Sequence, residues 1–402
     1  MEGETRLGSN HERDQRLTEI WHSFCQELQD AGDLVLRETT PDSEVTRVAG
    51  LRLLARNISL ALQFELENKD PLHPELLHYF DPLRKQGGDN TDALYVGAPI
   101  NGRDTYRIAG HRGSAAYFAV TVLETGETPW GGGVVGTLFG SDLELDSDGN
   151  FELWLGPDER PGNWIRTTSA TYRVTFRQFF ADWQSESPME AAIECLTSDG
   201  QPPPPLSLDA LDEGLMNAAR WLQVSTRYWA DKLDAWQARP NEFIAFAEME
   251  SAKIDATPGG TPLISYWKVP LDEALVVRVR PPECNYWNCE FGSYWWETMD
   301  YRWRLSSTNA HQAVLEPDGM LTVVVSHDDP GVANWLDPSG HEEGYMTFRW
   351  MGAADNPRPV CSQVSRSELV DFLPPETSRV DPKARRNQLA ARRAGVRRRF
   401  KY

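Results

Sequence analysis

The chain has 402 residues and a net charge of −20, with 40% hydrophobic and 25% charged residues. This length predicts about two or three domains, and the composition indicates a soluble globular protein rather than a disordered one. Because no window approaches the ~18 consecutive apolar residues of a membrane-spanning helix, and because an acidic body repels phosphate backbones, we expect neither a membrane nor a nucleic-acid partner.

The N-terminal residues and the cysteines bear on location. The segment Met1–Arg16 is polar and lacks the apolar core of a secretory signal. The five cysteines are widely scattered and show neither a zinc-binding nor a redox spacing. Because reduced thiols are typical of the cytosol, we predict a cytoplasmic location. We also predict that the protein has neither a cofactor nor a bound metal.

Residues 1–80 are predicted to form an N-terminal helical segment. Between residues 14 and 37, apolar side chains recur at intervals of three or four, which is the period of an amphipathic helix. Thr40 followed by Pro41 is typical of an N-cap and a first helical position. This pair therefore predicts the start of a second helix, which runs to about Asn68.

Beyond residue 90 the hydrophobic pattern changes to a period of two, which predicts strands. The proline-rich residues 200–205 predict a linker. After it, leucines and tryptophans in core spacing predict a helix, and Phe243, Phe246 and Ala247 indicate one further short helix. The predicted boundaries are 90–200 for a first β unit, 205–255 for a helical connector and 260–375 for a second β unit.

The two β segments repeat one another. Three dipeptide landmarks recur at a nearly constant separation, which is hard to obtain by chance. They are Asp148-Gly149 with Asp318-Gly319, Asn163-Trp164 with Asn334-Trp335, and Phe176-Arg177 with Phe348-Arg349, at separations of 170, 171 and 172 residues. We therefore predict an α+β, mainly β fold with two related, jelly-roll-like β-sandwich units.

Residues present in both copies are expected to serve the fold. The asparagine of each Asn-Trp pair is expected to hydrogen-bond the backbone, while the tryptophan fills the end of a core. The arginine of each Phe-Arg pair is predicted to anchor carbonyl groups of the same loop. The six predicted structural residues are Asn163, Trp164, Arg177, Asn334, Trp335 and Arg349. Functional residues are expected among those present in only one copy.

The segment 381–402 has the opposite charge from the rest of the chain. It holds nine Lys or Arg and one acid, a net charge of +8, so the other 380 residues carry −28. We predict a basic C-terminal helix that lies on an acidic surface of its own chain or of a second subunit in a homo-oligomer. An arm that binds nucleic acid or an anionic membrane is the alternative.

Several stretches resemble a known family. NYWNCEFGSYWWETMDYRW (285–303), DGMLTVVVSHDDPGVANWLDPSGHEEGYMTFRW (318–350) and DGNFELWLGPDERPGNW (148–164) resemble the bacterial family catalogued as domain of unknown function 1214. RKQGGDN (84–90) and YRIAGHRG (106–113) extend the resemblance, which covers roughly residues 30–375. It implies a C-terminal jelly-roll-like β-sandwich. It implies no catalytic residues, because no activity is established for the family.

Two histidines occur in the second copy alone. His327 lies in Ser-His-Asp-Asp, and His341 follows fourteen residues later. Either one is a candidate general base, because a histidine near its free pKa accepts a proton at neutral pH. The spacing matches no metal motif, and solvated loop residues are the other interpretation.

The tryptophan-rich segment 294–304 holds the other candidates. Read as a strand, it places Trp296, Asp300, Arg302 and Arg304 on a charged face. Trp295, Glu297 and Trp303 then lie on the opposite, mostly apolar face, where a carboxyl group would have a raised pKa. The competing interpretation is a surface ion pair of Asp300 with Arg302 or Arg304, beside a tryptophan-rich core.

Two classes of function follow from these patterns. The first is an enzyme that acts on a small aromatic or lipid-like molecule in a tryptophan-lined pocket. Its predicted catalytic residues are Glu297, Asp300, His327 and His341, and its predicted substrate-binding residues are Trp295, Trp296, Arg302 and Trp303. The second is a non-catalytic module whose surface tryptophans stack on a carbohydrate or another ligand.

Overall fold

The computed structural model describes residues 2–245 and 257–401, with side chains from residue 10 onward. In these ranges the helices are α1 (Glu2–Asp33), α2 (Glu44–Leu62), α3 (Leu208–Trp236), α4 (Leu369–Phe372) and α5 (Pro382–Phe400). A 3₁₀ turn, Leu34–Leu36, follows α1, and a π-helical turn, Gln63–Glu67, continues α2. The short helix predicted through Phe246 and Ala247 lies outside the described residues.

Eighteen strands make up the rest of the fold in the described residues. Those of the first unit are β1 (Leu77–His78), β2 (Ala93–Pro99), β3 (Tyr106–His111), β4 (Tyr117–Thr128), β5 (Gly131–Phe139), β6 (Asn150–Gly156), β7 (Asn163–Arg166), β8 (Thr171–Phe179) and β9 (Glu190–Cys195). Those of the second unit are β10 (Ile244–Ala245), β11 (Leu263–Lys268), β12 (Glu273–Val279), β13 (Tyr286–Ser293), β14 (Ser307–Asn309), β15 (Leu321–Ser326), β16 (Trp335–Leu336), β17 (Glu343–Met351) and β18 (Val360–Ser365).

The strands form two pairs of sheets with identical topology. The first unit contains sheet 1, in the order β1-β2-β8-β4-β5, and sheet 2, in the order β7-β6-β3-β9. The second unit contains sheet 3, β10-β11-β17-β13-β14, and sheet 4, β16-β15-β12-β18. Each strand of the first unit thus has its counterpart nine strands later. The predicted fold of two related β units, an N-terminal helical segment and a helical connector is confirmed.

Each unit is a sandwich with its own core. Inward side chains of sheets 1 and 2 form the first core, and those of sheets 3 and 4 form the second. The outer faces of sheets 1 and 3 meet in a third cluster between the units. This cluster also takes side chains from the helices, and its members include Leu53, Tyr95, Tyr117, Phe179, Trp229, Leu233, Tyr266 and Tyr345.

The helices hold this central cluster together. Helix α3 packs against both α1 and α2, so the connector and the N-terminal segment form one layer. Helix α2 begins at Glu44 after Ser43, which corrects the predicted N-cap at Thr40. The reason is that Thr40 is buried in a turn, in which its N–H donates to the carbonyl of Arg37 at 3.1 Å.

Helix α5 packs on both units. Arg385 donates to Asp329 of the second unit at 2.8 Å, and Arg392 donates to the carbonyl of Tyr301 at 2.9 Å. Val396 and Phe400 belong to the core cluster of the first unit. The helix therefore bridges the two units, with its arginines buried at intervals of seven residues.

Candidate functional site

A central cavity lies between the two units and beneath α3. Its volume is about 110 Å³, somewhat below the ~150 Å³ of an apolar cavity that admits a benzene ring. Its aromatic lining consists of Tyr79, Phe80, Tyr95, Trp130, Trp229 and Trp296. Its polar lining includes Asp89, Arg177, Thr347 and Arg349. An apolar chamber with a few convergent polar groups is the usual form of a small-molecule site.

One wall of the cavity is a stack of aromatic rings. Trp296 stacks on Trp229 with ring centroids 5.2 Å apart and on Tyr345 with centroids 5.0 Å apart. Gly87 and Gly88 pack against the indoles of Trp229 and Trp296 in turn. Both glycines have a φ of 68°, and a Cβ at Gly88 would lie 2.3 Å from the indole nitrogen of Trp296. This wall therefore requires the consecutive glycines of residues 87–88.

Trp296 has a left-handed backbone with a φ of 58°, which is unusual for a bulky side chain. It stands in a turn that follows β13, where its carbonyl accepts the N–H of Gly88 at 2.9 Å. The segment 294–304 is thus irregular, and the predicted strand with a charged and an apolar face is wrong. The Trp295 indole packs against α2 and the Trp296 indole packs against α3. This tertiary packing outweighs the alternating sequence pattern.

The two arginines of the repeat occupy equivalent places in the cavity wall. Arg349 on β17 forms a buried ion pair with Glu290 of β13 and donates to the carbonyl of Gly88 at 2.9 Å. Arg177 on β8 donates to the hydroxyl of Thr121 on β4 at 2.6 Å. The carbonyl that Arg349 binds therefore belongs to the loop before β2, and not to the loop before β16 as predicted.

Burial raises the pKa of Glu290, the carboxylate that pairs with Arg349 in the second unit. Glu290 is fully buried, and desolvation raises its pKa to about 7, although the positive charge of Arg349 opposes the rise. Its other oxygen accepts the N–H of Thr91 at 2.7 Å. The first unit has a neutral threonine, Thr121, at the matching position, so the cavity wall has similar geometry but different charge on its two sides.

Asp89 is an ionisable acid in the lining of the cavity itself. Desolvation by burial raises its pKa to about 6, while the charge of Lys85 and hydrogen bonds from Thr298 act in the opposite direction. The N–H and hydroxyl of Thr298 donate to its two oxygens at 3.1 and 2.7 Å. Asp89 therefore changes its charge near neutral pH while its orientation stays fixed.

An open cleft of about 720 Å³ lies on the other side of the same wall. The N-terminal half of α2 forms one flank, and the loops 297–304 and 339–341 form the other. Consecutive residues serve both spaces, because Trp296 lines the cavity whereas Glu297 lines the cleft. The cleft also contains Val48 and Trp303, which are 59% and 52% exposed.

The cleft brings together three of the four predicted catalytic residues: Glu297, Asp300 and His341. Glu297 accepts a hydrogen bond from Arg56 at 2.8 Å, and burial raises its pKa despite that partner. Asp300 receives two hydrogen bonds from Arg302, at 2.8 and 2.7 Å. Burial alone would raise the pKa of Asp300, but Arg302 and Lys85 lower it, so Asp300 is ionised at neutral pH.

The two histidines differ in their surroundings. His341 is 8% exposed, and burial lowers its pKa to about 4, with a further contribution from the charge of His327. Its Nδ1 has no hydrogen-bond partner in the described structure. His327 is half-buried and lies 3.2 Å from the carbonyl of Val269 through Nε2. It lines neither the cavity nor the cleft.

The four predicted substrate-binding residues separate. Trp296 lines the cavity and Trp303 lines the cleft. Trp295 is buried against α2, where its indole N–H donates to the carbonyl of Thr46 at 2.6 Å. Arg302 binds Asp300, which is one of the ion pairs predicted as the alternative. Trp303 is covered on one face by Arg393 of α5, whose guanidinium lies 3.7 Å from the ring centroid.

The predicted structural asparagines make matching contacts. Asn163 donates to the carbonyls of Glu144 and Glu152, both at 2.9 Å, and accepts the N–H of Glu144 at 2.8 Å. Asn334 donates to Val314 and Thr322 at 2.7 and 3.1 Å and accepts from Val314 at 2.9 Å. The same three backbone hydrogen bonds thus occur in both units. Of the two tryptophans, Trp335 is buried and Trp164 half-buried.

Several cavity residues were missed in the sequence. Asp89 and Tyr95 lie close to the Gly87-Gly88 pair, which the sequence analysis uses only for the family resemblance. That pair was the available signal, since two consecutive glycines next to an acid are typical of a close backbone approach. Trp130 and Trp229 carry no local signal, because core tryptophans have the same spacing. Arg177 and Arg349 were assigned to the fold because they recur.

Metal and membrane sites were also sought in the structure. Across residues 2–245 and 257–401, no group of three or more His, Cys, Asp and Glu side chains is arranged to hold a metal ion. In the same ranges, no helix combines the length and the apolar character needed to cross a membrane.

Comparison with known proteins gives a family and a fold but no activity. The family model "Protein of unknown function (DUF1214)" matches residues 90–182 and 275–355. An uncharacterised protein from Burkholderia cenocepacia is 33% identical, over 88% of this chain and 98% of that one, with a TM-score of 0.83. The VPA0106 protein from Vibrio parahaemolyticus is 12% identical, over 77% of this chain and 96% of that one, with a TM-score of 0.44. No curated protein matches.

Proposed function

The chain belongs to the DUF1214 family of proteins of unknown function, and we propose that it binds a small aromatic or lipid-like organic molecule in the central cavity. The observation that carries this proposal is the lining of six aromatic side chains, with Asp89 and Arg349 as polar groups in the same wall. Aromatic rings supply apolar contact area, and a few fixed polar groups orient a ligand.

The position of the cavity supports a ligand site rather than a packing defect. Protein interiors are close-packed, and a void loses contacts on all sides. Here the void is bounded by a strained tryptophan, Trp296, and by two glycines in left-handed conformations. The left-handed backbone of the non-glycine residue Trp296 costs about 1–3 kcal/mol, and such strain is concentrated at functional sites.

Native mass spectrometry combined with ligand titration tests the proposal. We expect the purified protein either to carry a small organic molecule or to bind added aromatic probes, with a change in tryptophan emission. Ile264→Phe fills the cavity from β11 and is expected to abolish binding. Val135→Phe, at a 40% exposed position on β5, is the control that should bind normally. Equal binding by wild type and Ile264→Phe would contradict the proposal.

Acid–base catalysis in the cleft is a second candidate function. It is supported by two buried proton-transfer groups, Glu297 and His341, in the wall of one open space. A turnover screen over esters, amides and enolisable ketones tests it, with Glu297→Gln and His341→Asn as variants. We expect both variants to lose any turnover that wild type shows. If their turnover equals that of wild type, the cleft has no catalytic role.

The cysteines support a proposal on location. All five are free, and Cys289 is buried while the others are partly buried. This arrangement suits a reducing compartment, so we propose a cytoplasmic protein. Labelling of thiols in intact cells before lysis tests this, since a protein from an oxidising compartment would show blocked cysteines.

A further inference from the structure

The carboxylate of Asp89 offers unused acceptor capacity in the cavity. A carboxylate has about four lone-pair sites. In Asp89 two of them are occupied, one by the N–H and one by the hydroxyl of Thr298. Asp89 is only 3% exposed and lines the cavity, so water has little access to the remaining sites. A buried charged acceptor is costly unless its hydrogen bonds are completed.

The nearest cation does not complete them. Lys85 lies close enough to Asp89 to lower its pKa, but its ammonium group donates to the carbonyls of Thr298 and Met299, at 3.0 and 2.5 Å. It also lies 4.4 Å above the ring of Tyr301. Lys85 therefore acts on Asp89 through its charge, while its hydrogen bonds in the described structure go to backbone carbonyls and not to the carboxylate of Asp89.

We infer that the ligand of the central cavity carries a hydroxyl group, phenolic or alcoholic, that donates a hydrogen bond to Asp89. This inference rests on the proposed function, because it names the chemical class of the molecule bound there. Thr298 is the positioning residue, since its two donors fix the plane of the carboxylate. A hydroxyl is neutral and compact, so it adds little desolvation cost to an otherwise aromatic ligand.

Phenol and toluene provide the direct test, because they differ only by a hydroxyl in place of a methyl group. Toluene is the more apolar of the two and should bind more tightly in a cavity that lacks an acceptor. We expect wild type to bind phenol at least ~10-fold more tightly than toluene, as a site built for a hydroxyl discriminates against its absence. Isothermal titration at pH 7.5 measures both affinities.

Three variants test whether Asp89 is the source of the preference for phenol over toluene. Asp89→Asn retains the shape but replaces a charged acceptor by a neutral one, which is about half as strong, so the phenol preference should fall below ~3-fold. Thr298→Val should reduce it partly. Asp92→Asn is the matched control, because Asp92 is equally buried in the same loop but bonds Tyr286 and Trp183 outside the cavity. It should retain the wild-type ratio.

The pH dependence gives an independent readout. Affinity for phenol should fall as Asp89 is protonated below pH ~6, while affinity for toluene stays constant. The other ionisable groups that act on Asp89 or feel its charge are Lys85, Glu297, Glu290 and Tyr345. Because Glu290 titrates in a neighbouring range, the Asp89→Asn protein is the reference. An unchanged phenol profile in that variant would overturn the inference.

The outcomes separate the two proposals. If neither probe binds, the proposed function fails. If both probes bind wild type equally, or toluene more tightly, the cavity is a ligand site but the hydroxyl inference is wrong. If Asp89→Asn and wild type show the same ratio, Asp89 is not the acceptor. Circular dichroism on each variant confirms that it is folded before the affinities are compared.

Discussion

The two β units have the same strand order, yet their outer sheets face different surroundings. The outer face of sheet 4 is covered by α4 and α5, through Leu369, Leu373 and Leu389. Within residues 2–245 and 257–401, no helix covers the corresponding face of sheet 2, where Glu152 is exposed and Trp154 is half-buried. The position of Trp154 corresponds to Val324 in the second unit, which is fully buried.

This difference is visible along the strands themselves. Strand β6 alternates between exposed and buried residues, whereas all six residues of β15 are buried. A strand with one solvated face alternates, and a strand buried on both faces reads as a continuous apolar run. A duplicated sandwich can therefore keep its topology in both copies while the C-terminal helices cover the outer face of one copy and form a second core there.

Deletion of residues 381–402 should cause the largest loss of stability. It uncovers sheet 4 and removes Val396 and Phe400 from the core of the first unit. Each buried apolar side chain of this size contributes about 2–4 kcal/mol, so the loss approaches the 5–15 kcal/mol of a typical domain. We expect thermal denaturation to show a collapse of the melting temperature or no cooperative transition.

The control for the deletion is the double variant Arg386→Gln and Arg397→Gln. Both side chains lie on the exposed side of α5, so stability should change little while the basic charge falls. An unchanged melting temperature after deletion, with loss of binding to nucleic acid or anionic vesicles, would contradict the packing role and favour an external partner.

An aspartate introduced at equivalent positions of β6 and β15 should show, by its cost in stability, how the outer faces of sheets 2 and 4 differ. Val324→Asp places an unpaired carboxylate beneath the C-terminal cover, which should cost about 3–5 kcal/mol. Trp154→Asp at the matching position of β6 should cost about 1–2 kcal/mol, because that face is open to water and the loss is limited to strand propensity and to the packing of a half-buried ring, including its contact with Arg160. Urea unfolding measures both. Similar costs would mean that the covered and open faces are energetically alike.

Asn163→Ala and Asn334→Ala test what the two units share. Each substitution removes the same three backbone hydrogen bonds and leaves buried groups without partners, at a cost of about 1–3 kcal/mol. Chemical denaturation should give values for the two variants that agree within about 1 kcal/mol. A much larger loss for one of them would show that the loops differ in energy despite their equal geometry.

The ion pair of the second unit should add a pH dependence of stability that the first unit lacks. The pKa of Glu290 is raised to about 7 in the folded protein, above its unfolded value of about 4.5. The folded state therefore binds more protons than the unfolded one in this window, and stability should fall as the pH rises from about 4.5 to about 7. Each pKa unit corresponds to about 1.4 kcal/mol.

Glu290→Gln isolates this term. It keeps only one acceptor oxygen, so either Thr91 or Arg349 loses its partner, at a cost that does not depend on pH. Because the variant cannot ionise at this position, the pH dependence of the difference between the wild-type and variant stability curves should come from Glu290. Both proteins are compared in an Asp89→Asn background, because the charge of Asp89 interacts with that of Glu290 and its titration would not cancel. Thermal melts between pH 4 and pH 8 measure the difference, and a flat difference curve would mean that Glu290 does not have a raised pKa.

The repeat and the periodicity were sufficient to predict the fold. Dipeptides such as Asn163-Trp164 and Asn334-Trp335 are local and equally spaced, so they reveal the duplication without knowledge of the structure. The covered face of sheet 4 could also be anticipated from Leu321–Ser326, whose residues are apolar apart from Thr322 and Ser326. These signals are local in sequence and directly set by burial.

The candidate site could be predicted only in part. Segment 294–304 contributes Trp296 to the cavity and Glu297 and Asp300 to the cleft. Its predicted strand geometry was wrong, because the left-handed turn at Trp296 depends on packing against α3. The assumption that recurring residues serve only the fold hid Arg177 and Arg349. In a duplicated protein, equivalent residues meet where the two units face one another, so recurrence does not exclude a place in a ligand site.

The bridging position of α5 has a consequence for biosynthesis. Val396 and Phe400 complete the core of the first unit, although they are made about 200 residues after its last strand, Glu190–Cys195. A ribosome adds about 5–20 residues per second, so the first sandwich waits for at least ten seconds with part of its core exposed. During that time it is open to chaperones and proteases, and it becomes fully protected only after the second sandwich has emerged.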